Sequence, residues 1–192
     1  MSSNPQTFNK ITDYIRNFPD VIQEPSCDIL IDHFNQHAQW KPSKFGTATK
    51  VTGSEGKVMM EEFWIQPKMK YHNELKTAFT KMVASYIDTH TRITPERYTD
   101  FRMNRYGVDG FMKNHVDNIH HSHGQRYGYP HLTALLFLND DFKGGDFVLC
   151  NGKYIAPKKK GSGVVFPSNF MYPHEVEKVI SGVRYSIMTW IL

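Results

Sequence analysis

Hydrophobic and polar positions follow a helical period in the first half of the chain. Between residues 25 and 40 the sequence PSCDILIDHFNQHAQW repeats apolar positions at helical spacing, and Ser26 is a candidate N-cap. The segment HNELKTAFTKMVASYIDTHTR places Leu75, Phe79 and Val83 four residues apart. This spacing predicts an amphipathic helix with one apolar stripe. We therefore expect two helices before residue 98.

From about Tyr98 the pattern changes to short apolar runs that are separated by turn residues. Eight segments have the composition of strands: DFRMNRYG, FMKNHVD, HLTALLFLN, GDFVLCN, YIAP, GSGVVFP, HEVEKV and VRYSIMTWIL. Such a series predicts a sandwich or barrel such as a jelly roll, with the earlier helices covering one face. Between the two helices, FGTATKVTGSEGKVMMEEFWIQP predicts a hairpin or strand pair.

Length and composition favour one globular domain. The chain has 192 residues, 40% hydrophobic and 14% aromatic, so we expect a single domain with supporting elements in 1–97 and the β core in 98–192. A net charge of +4 without a long basic stripe does not favour nucleic-acid binding. No signal peptide, no run of eighteen apolar residues and only two cysteines are found, so a soluble cytoplasmic protein without membrane attachment is expected.

The chemistry of the chain is concentrated around KNHVDNIHHSHG, residues 113–124. His115 and Asp117 are two residues apart at the end of a predicted strand, so their side chains share one face. A distant histidine would complete the two-histidine, one-carboxylate set that non-haem Fe(II) oxygenases use. His174 is the candidate, since it is the only histidine after His131 and begins an apolar alternation typical of an inward-facing strand.

Arg184 lies ten residues after His174 in the predicted core strand VRYSIMTWIL. A buried guanidinium needs an anion, because an unpaired buried charge is expensive. Ser186 shares its face and offers a further donor. Together they would suit the distal carboxylate of a dicarboxylic acid.

These elements together resemble the prolyl 4-hydroxylase-like branch of the Fe(II)/2-oxoglutarate dioxygenases. The matching features are Tyr106 followed by eight residues and then an HxD motif, a strand followed by Gly-Gly in TALLFLNDDFKGGDF, the His174 to Arg184 spacing, and Trp190 six residues after Arg184. The resemblance covers roughly residues 98–192. It implies a double-stranded β-helix, a mixed α/β but mainly β fold of the jelly-roll or cupin-like type.

The resemblance also implies the site and the reaction. Iron would be bound by His115, Asp117 and His174. 2-Oxoglutarate would be bound by four residues: Arg184, Tyr106, Ser186 and Thr133. Substrate would contact a further four: Arg126, Tyr127, Tyr129 and Trp190. The expected activity consumes O2 and 2-oxoglutarate, releases succinate and CO2, uses ascorbate as reductant and hydroxylates prolyl residues of a protein or peptide.

Several alternatives stay open at this point. Tyr106, Thr133 and Trp190 are also ordinary core residues for a strand. Met112 and Pro130 replace an aromatic residue and an arginine that prolyl hydroxylases usually have, so a free amino acid or a small metabolite is an alternative substrate. A non-catalytic, cupin-like metal sensor is the third hypothesis. The remaining histidines of the IHHSHGQRYGYPH segment are expected to face solvent or substrate instead of iron.

Overall fold

A computed structural model of the chain describes residues 8–44, 57–90, 93–117 and 129–192. Within these ranges the protein is mainly β, with two α-helices in the first half. The predicted fold class, a mainly β fold with N-terminal supporting helices, is confirmed. Neither helix is long and apolar enough to cross a membrane.

Both helices lie where the periodicity predicts them. Helix α1 spans Glu24–His37 and helix α2 spans His72–Thr89. The predicted stripe of α2 is buried, since Leu75, Phe79 and Val83 are at most 1% exposed. Burial of this stripe against the sheet, more than intrinsic propensity, stabilises a helix of this length.

The predicted cap of α1 is wrong. Gln23 occupies the N-cap position, without a side-chain capping hydrogen bond, and Ser26 lies inside the first turn. Pro25 explains the difference, because proline is tolerated in a first turn where its missing N–H is not needed. The helix therefore begins before the residue that looked like its cap.

Short strands make up most of the rest of the described chain. In chain order they are β1 (Arg16–Phe18), β2 (Lys41–Pro42), β3 (Val58–Met59), β4 (Glu61–Ile65), β5 (Phe101–Tyr106), β6 (Phe111–His115), β7 (Leu132–Phe137), β8 (Lys143–Gly144), β9 (Phe147–Leu149), β10 (Tyr154–Ile155), β11 (Gly163–Pro167), β12 (His174–Val176), β13 (Val179–Ser181) and β14 (Arg184–Ile191). A short 3-10 helix, Ile11–Tyr14, precedes them. The eight strands predicted for the second half all form, and β8 and β13 are two short additions that the pattern did not predict.

The strands form two main antiparallel sheets. The major sheet has the order β1-β11-β7-β14-β5-β4-β2, and the minor sheet has the order β10-β9-β12-β6-β3. A third, two-stranded sheet pairs β13 with β8. Since strands distant in sequence are neighbours in both main sheets, the arrangement is the predicted double-stranded β-helix.

The described part of the segment predicted to form a hairpin or strand pair does contain two strands, but these strands do not pair with each other. Strand β3 pairs with β6 in the minor sheet, whereas β4 pairs with β5 in the major sheet. Only Met60 separates β3 from β4. One residue is too short for a hairpin turn, so the chain crosses from one sheet to the other instead.

The major sheet has two faces of different character, because successive side chains of a strand point to opposite sides. On the outer face, helices α1 and α2 cover apolar residues of β5, β7 and β14: Phe101, Met103, Leu132, Ala134, Leu136 and Ile187. The inner face is turned toward the minor sheet, and it carries buried polar side chains: Arg102, Asn104, Thr133, Arg184 and Ser186. The inner face therefore determines where the chemistry of the protein can lie.

Candidate metal centre

Three predicted ligands converge between the two main sheets. His115 ends β6 and His174 begins β12, and these two residues are direct partners in the antiparallel register. Asp117 follows β6 by two residues. One ligand atom from each of the three side chains lies within 4.8 Å of the other two.

Backbone carbonyl groups orient both imidazole rings. His115 Nδ1 is 2.9 Å from the Lys113 carbonyl oxygen, and His174 Nδ1 is 3.0 Å from the Tyr172 carbonyl oxygen. A carbonyl oxygen can only accept, so each Nδ1 carries the hydrogen and each Nε2 keeps its lone pair. The Nε2 atoms lie 3.7 and 3.5 Å from the oxygens of Asp117. A hydrogen bond from Nδ1 to a backbone carbonyl is a usual way in which proteins orient metal-ligating histidines.

The protonation of these groups suits a metal ion. Burial, followed by the neighbouring His174, lowers the pKa of His115 to about 4, so its ring is neutral at pH 7. Burial alone would raise the pKa of Asp117, but His174, His115 and the Thr133 hydroxyl lower it overall. Two imidazole nitrogens and one carboxylate are the donor set of non-haem Fe(II) sites. The residues present therefore fit iron(II).

Thr133 supports the carboxylate. Its hydroxyl donates to Asp117 Oδ2 at 2.6 Å and lies 2.9 Å from Ser168 Oγ. The structure places Thr133 against the candidate metal ligand Asp117, and its contact with 2-oxoglutarate stays a prediction. Its role here is to hold Asp117 in one orientation.

Aromatic rings surround His174 on its remaining sides. The rings of Phe147 and Phe166 pack edge-on against its imidazole, with centroids 5.5 and 5.0 Å away. These rings make the site apolar around the ligands, and an apolar shell limits the access of water.

Arg184 is fully buried on the inner face, as predicted. Its Nη1 donates to Ser186 Oγ at 3.0 Å, and its guanidinium carbon lies 5.0 Å from the ring centroid of Tyr106. Arg184 Nε and Nη2 have no hydrogen-bond partner within the described ranges. Leaving two buried donors unpaired is costly, so a bound anion fits this position.

Two further contacts describe the pocket around Arg184. Burial raises the pKa of Tyr106, so its phenol stays protonated and can donate a hydrogen bond to an anion. The Arg184 guanidinium also lies 5.5 Å from the Phe137 ring, which contacts Phe147 at 6.5 Å. Phe147 in turn contacts His174. A continuous series of packed rings therefore joins the anion position to the candidate metal ligands.

The predicted substrate residues are only partly described. Trp190 is 5% exposed and lies opposite Thr133 in the register of β14 and β7. Tyr129 is 46% exposed. Arg126 and Tyr127 lie outside the described residues, as do His120, His121 and His123.

Sequence reasoning missed a second group of polar residues on the inner face. Arg102 and Asn104 share the inner face of β5 with Tyr106, and both are at least nine-tenths buried. Glu62 of β4 lies opposite Asn104. Their signal was present in FRMNRY, where polar residues alternate with Phe101 and Met103 in a strand that is buried on both sides.

Comparisons with known proteins agree with this geometry. Residues 101–192 match the family model described as 2OG-Fe(II) oxygenase superfamily. A PKHD-type hydroxylase of Rippkaea orientalis is 32% identical over 126 residues, which are 64% of this chain and 54% of the relative. Another, from Psychrobacter sp., is 24% identical over 193 residues, covering 92% of this chain and 67% of the relative. The chain thus spans about half the length of the first of these relatives.

Solved structures share the fold at low sequence identity. A prolyl-4-hydroxylase of Pseudomonas putida superposes with a TM-score of 0.71 at 17% identity, covering 94% of this chain and 96% of the other. A prolyl hydroxylase from Trichoplax adhaerens, solved in complex with a peptide fragment of a hypoxia inducible factor oxygen degradation domain, gives 0.72 at 17% identity, covering 94% and 84%. At this identity the similarity establishes the shared double-stranded β-helix.

Proposed function

We propose, from the match of residues 101–192 to the 2OG-Fe(II) oxygenase superfamily model, that the protein hydroxylates prolyl residues of a peptide or protein. The proposed enzyme is prolyl 4-hydroxylase-like and uses Fe(II), O2 and 2-oxoglutarate. One observation carries the proposal: two oriented imidazole nitrogens and a carboxylate converge beside a buried arginine with spare donors. A sensor that binds only a metal has no use for such an arginine.

The proposed division of labour follows from the contacts of the chain. His115, Asp117 and His174 would hold the iron, and Arg184 with Ser186 and Tyr106 would bind the distal carboxylate of 2-oxoglutarate. When bound, iron and 2-oxoglutarate supply the oxidising chemistry, in which 2-oxoglutarate is converted to succinate and CO2 and a substrate C–H bond is hydroxylated.

The protein's own contribution is to position these groups. The carbonyls of Lys113 and Tyr172 fix the histidine rings, and Thr133 fixes Asp117. The Phe147 and Phe166 rings limit water at His174. Fixed ligands in surroundings that limit water strengthen the electrostatic contacts of a bound anion and protect reactive species from side reactions.

The remaining parts of the proposal concern the surroundings of the reaction. Ascorbate is proposed as the reductant on the family resemblance alone, and added ascorbate should raise the number of turnovers. A cytoplasmic location is supported by Cys27 and Cys150, which are both free thiols. Fractionation of cells that express the protein tests this location.

Anaerobic titration tests the metal and cosubstrate assignments. Addition of Fe(II) and 2-oxoglutarate to the apoprotein should produce a visible charge-transfer band. Asp117→Ala should abolish the band with the fold intact. Asp28→Ala is the matched control, since Asp28 is an exposed carboxylate that pairs with Lys160. A wild-type protein without a band, or an unchanged band in Asp117→Ala, would contradict the proposal.

Mass spectrometry of peptide arrays tests the substrate. With Fe(II), O2 and 2-oxoglutarate, proline-containing peptides should gain one oxygen atom, and succinate should form in equal amount. Matched peptides with alanine in place of proline are the control. A band without any peptide oxidation would favour a small-molecule substrate, and a band without substrate-stimulated succinate release would favour the sensor hypothesis.

A further inference from the structure

Arg102 is a buried arginine whose guanidinium has no hydrogen bond to an oxygen atom of the described residues. It is 9% exposed on the inner face of β5, and the hydrogen bond that it does make among these residues goes from Nη2 to Met188 Sδ at 2.8 Å. Arg102 Nε has no partner within the described ranges. A thioether is a weak acceptor, so the guanidinium keeps most of its hydrogen-bonding capacity unused.

The nearest carboxylate does not satisfy it. Glu62 Oε2 lies 3.7 Å from Arg102 Nη1, which is too far for a hydrogen bond. Glu62 instead accepts hydrogen bonds from Ser43 Oγ at 2.8 Å and Trp64 Nε1 at 3.2 Å. The pair reduces the net charge of the region but leaves the donors of the guanidinium available.

Arg105 shows what a satisfied arginine looks like on the same strand. It points to the outer face and donates two hydrogen bonds to Glu61 Oε2, from Nε at 2.9 Å and from Nη2 at 2.7 Å. Arg102 is therefore more buried than Arg105 but has fewer hydrogen bonds to a carboxylate. The more buried arginine, which needs an anion more, has the poorer partner.

The position of Arg102 connects the candidate iron site to an open cleft. Its guanidinium carbon lies 5.2 Å from the ring centroid of Trp190, and Trp190 is the register partner of Thr133, which bonds Asp117. On the other side, Glu62 and Trp64 line a cleft of about 900 Å³. Arg102 thus contacts Trp190, whose register partner bonds a candidate metal ligand, and also Glu62 and Trp64, which line the cleft.

We propose that Arg102 binds a carboxylate of the primary substrate. This inference rests on the proposed hydroxylase function and names the chemistry of the molecule that is oxidised. A carboxylate matches the planar fork of a guanidinium. A phosphate is disfavoured because the Glu62 carboxylate, whose Oε2 lies 3.7 Å from Arg102 Nη1, would repel the second negative charge of the phosphate. Arg184 has the separate task of binding the cosubstrate.

Paired ligands that differ only in charge test the proposal. The probes are a panel of N-acetyl amino acids, N-acetylproline included, and the corresponding N-acetyl amides. Each is titrated by calorimetry into the anaerobic complex of the protein with Fe(II) and 2-oxoglutarate. We expect at least one acid to bind about thirtyfold or more tightly than its amide, since loss of a buried charge pair has an effect of this size.

Substitutions assign the preference to one residue. Arg102→Met should remove the preference for the acid, and Arg105→Met is the matched control that should keep it. Because Arg102→Met leaves Glu62 unpaired, the double variant R102M/E62Q provides a second version without a buried lone charge. Both Arg102 variants should bind 2-oxoglutarate like the wild type.

The outcomes separate this inference from the proposed function. An acid preference that persists in both Arg102 variants, equal binding of every acid and amide, or loss of 2-oxoglutarate binding in these variants would overturn the carboxylate assignment. Arg102-dependent binding of acids without oxidation of any proline compound would uphold it and overturn the prolyl substrate. Free amino acids and peptides with a C-terminal carboxylate, tested in parallel, distinguish the two sources of the carboxylate.

Discussion

The two faces of the major sheet are built from alternate residues of the same strands, yet they do different work. The outer face packs Phe101, Leu136 and Ile187 against the helices, in a core that buries no charged side chain among the described residues. The inner face buries Arg184 and Arg102, whose guanidinium donors are incompletely satisfied. The outer face therefore stabilises the fold, whereas the incompletely satisfied donors of the inner face lower stability and are available to bind ligands. Mutations on the two faces should separate these roles.

The largest effect on stability is expected on the outer face. Phe79 of α2 is fully buried and stacks on Phe101, with ring centroids 5.1 Å apart. Phe79→Ala should lower the free energy of unfolding by about 3–5 kcal/mol, because it leaves a cavity in the core. Urea denaturation measures this loss. The fraction that stays folded should bind Fe(II) normally, and weakened iron binding would show that the two faces are not independent.

The next effect belongs to the inner face and has the opposite character. Arg184→Met should weaken 2-oxoglutarate binding about thirtyfold or more, since the anion loses its buried partner. The free energy of unfolding of the apoprotein should stay the same or rise, because an unpaired buried charge is removed. Calorimetry with 2-oxoglutarate and thermal denaturation measure the two quantities. Destabilisation with unchanged binding would mean that Arg184 is a structural residue.

A matched pair of threonines compares the faces directly. Thr133 bonds Asp117 on the inner face, while Thr189 donates to the Thr99 carbonyl at 3.0 Å. Thr133→Val should reduce Fe(II) affinity about 10–100-fold, the usual effect of removing a group that orients a metal ligand. Thr189→Val should lower the free energy of unfolding by about 1 kcal/mol, as Thr133→Val should, but it should leave the Fe(II) affinity unchanged. Equal iron affinity in both variants would contradict the positioning role of Thr133.

The smallest effect is expected for two buried tyrosines. Tyr106→Phe should weaken 2-oxoglutarate binding about 2–10-fold, the value of one hydrogen bond. Tyr86 on α2 donates to the Tyr14 carbonyl at 2.8 Å, so Tyr86→Phe should lower stability by about 1 kcal/mol without affecting 2-oxoglutarate. Calorimetry and urea denaturation on both variants check this. An unaffected 2-oxoglutarate affinity in Tyr106→Phe would remove that tyrosine from the cosubstrate site.

The sequence was a good guide wherever a pattern is local. The stripe of α2 and the eight strands after residue 98 could be predicted because their periods follow from backbone geometry. It failed where a competing interaction decides. Proline moved the start of α1 away from Ser26, and β3 and β4 joined different sheets because their best partners, β6 and β5, come much later in the chain.

The motif spacing alone identified His115, Asp117, His174 and Arg184 as candidates for one site, since these residue types at fixed separations indicate side chains that lie close together. The sequence also determined that Arg184 and Ser186 share one face of their strand. Only the tertiary structure decided that Thr133 bonds Asp117. It also decided that Arg102 lies beside Trp190, where its guanidinium donates to Met188 Sδ and to no oxygen of the described residues. These contacts join strands that are far apart in sequence, and their register is set by the packing of two sheets, which no local pattern records.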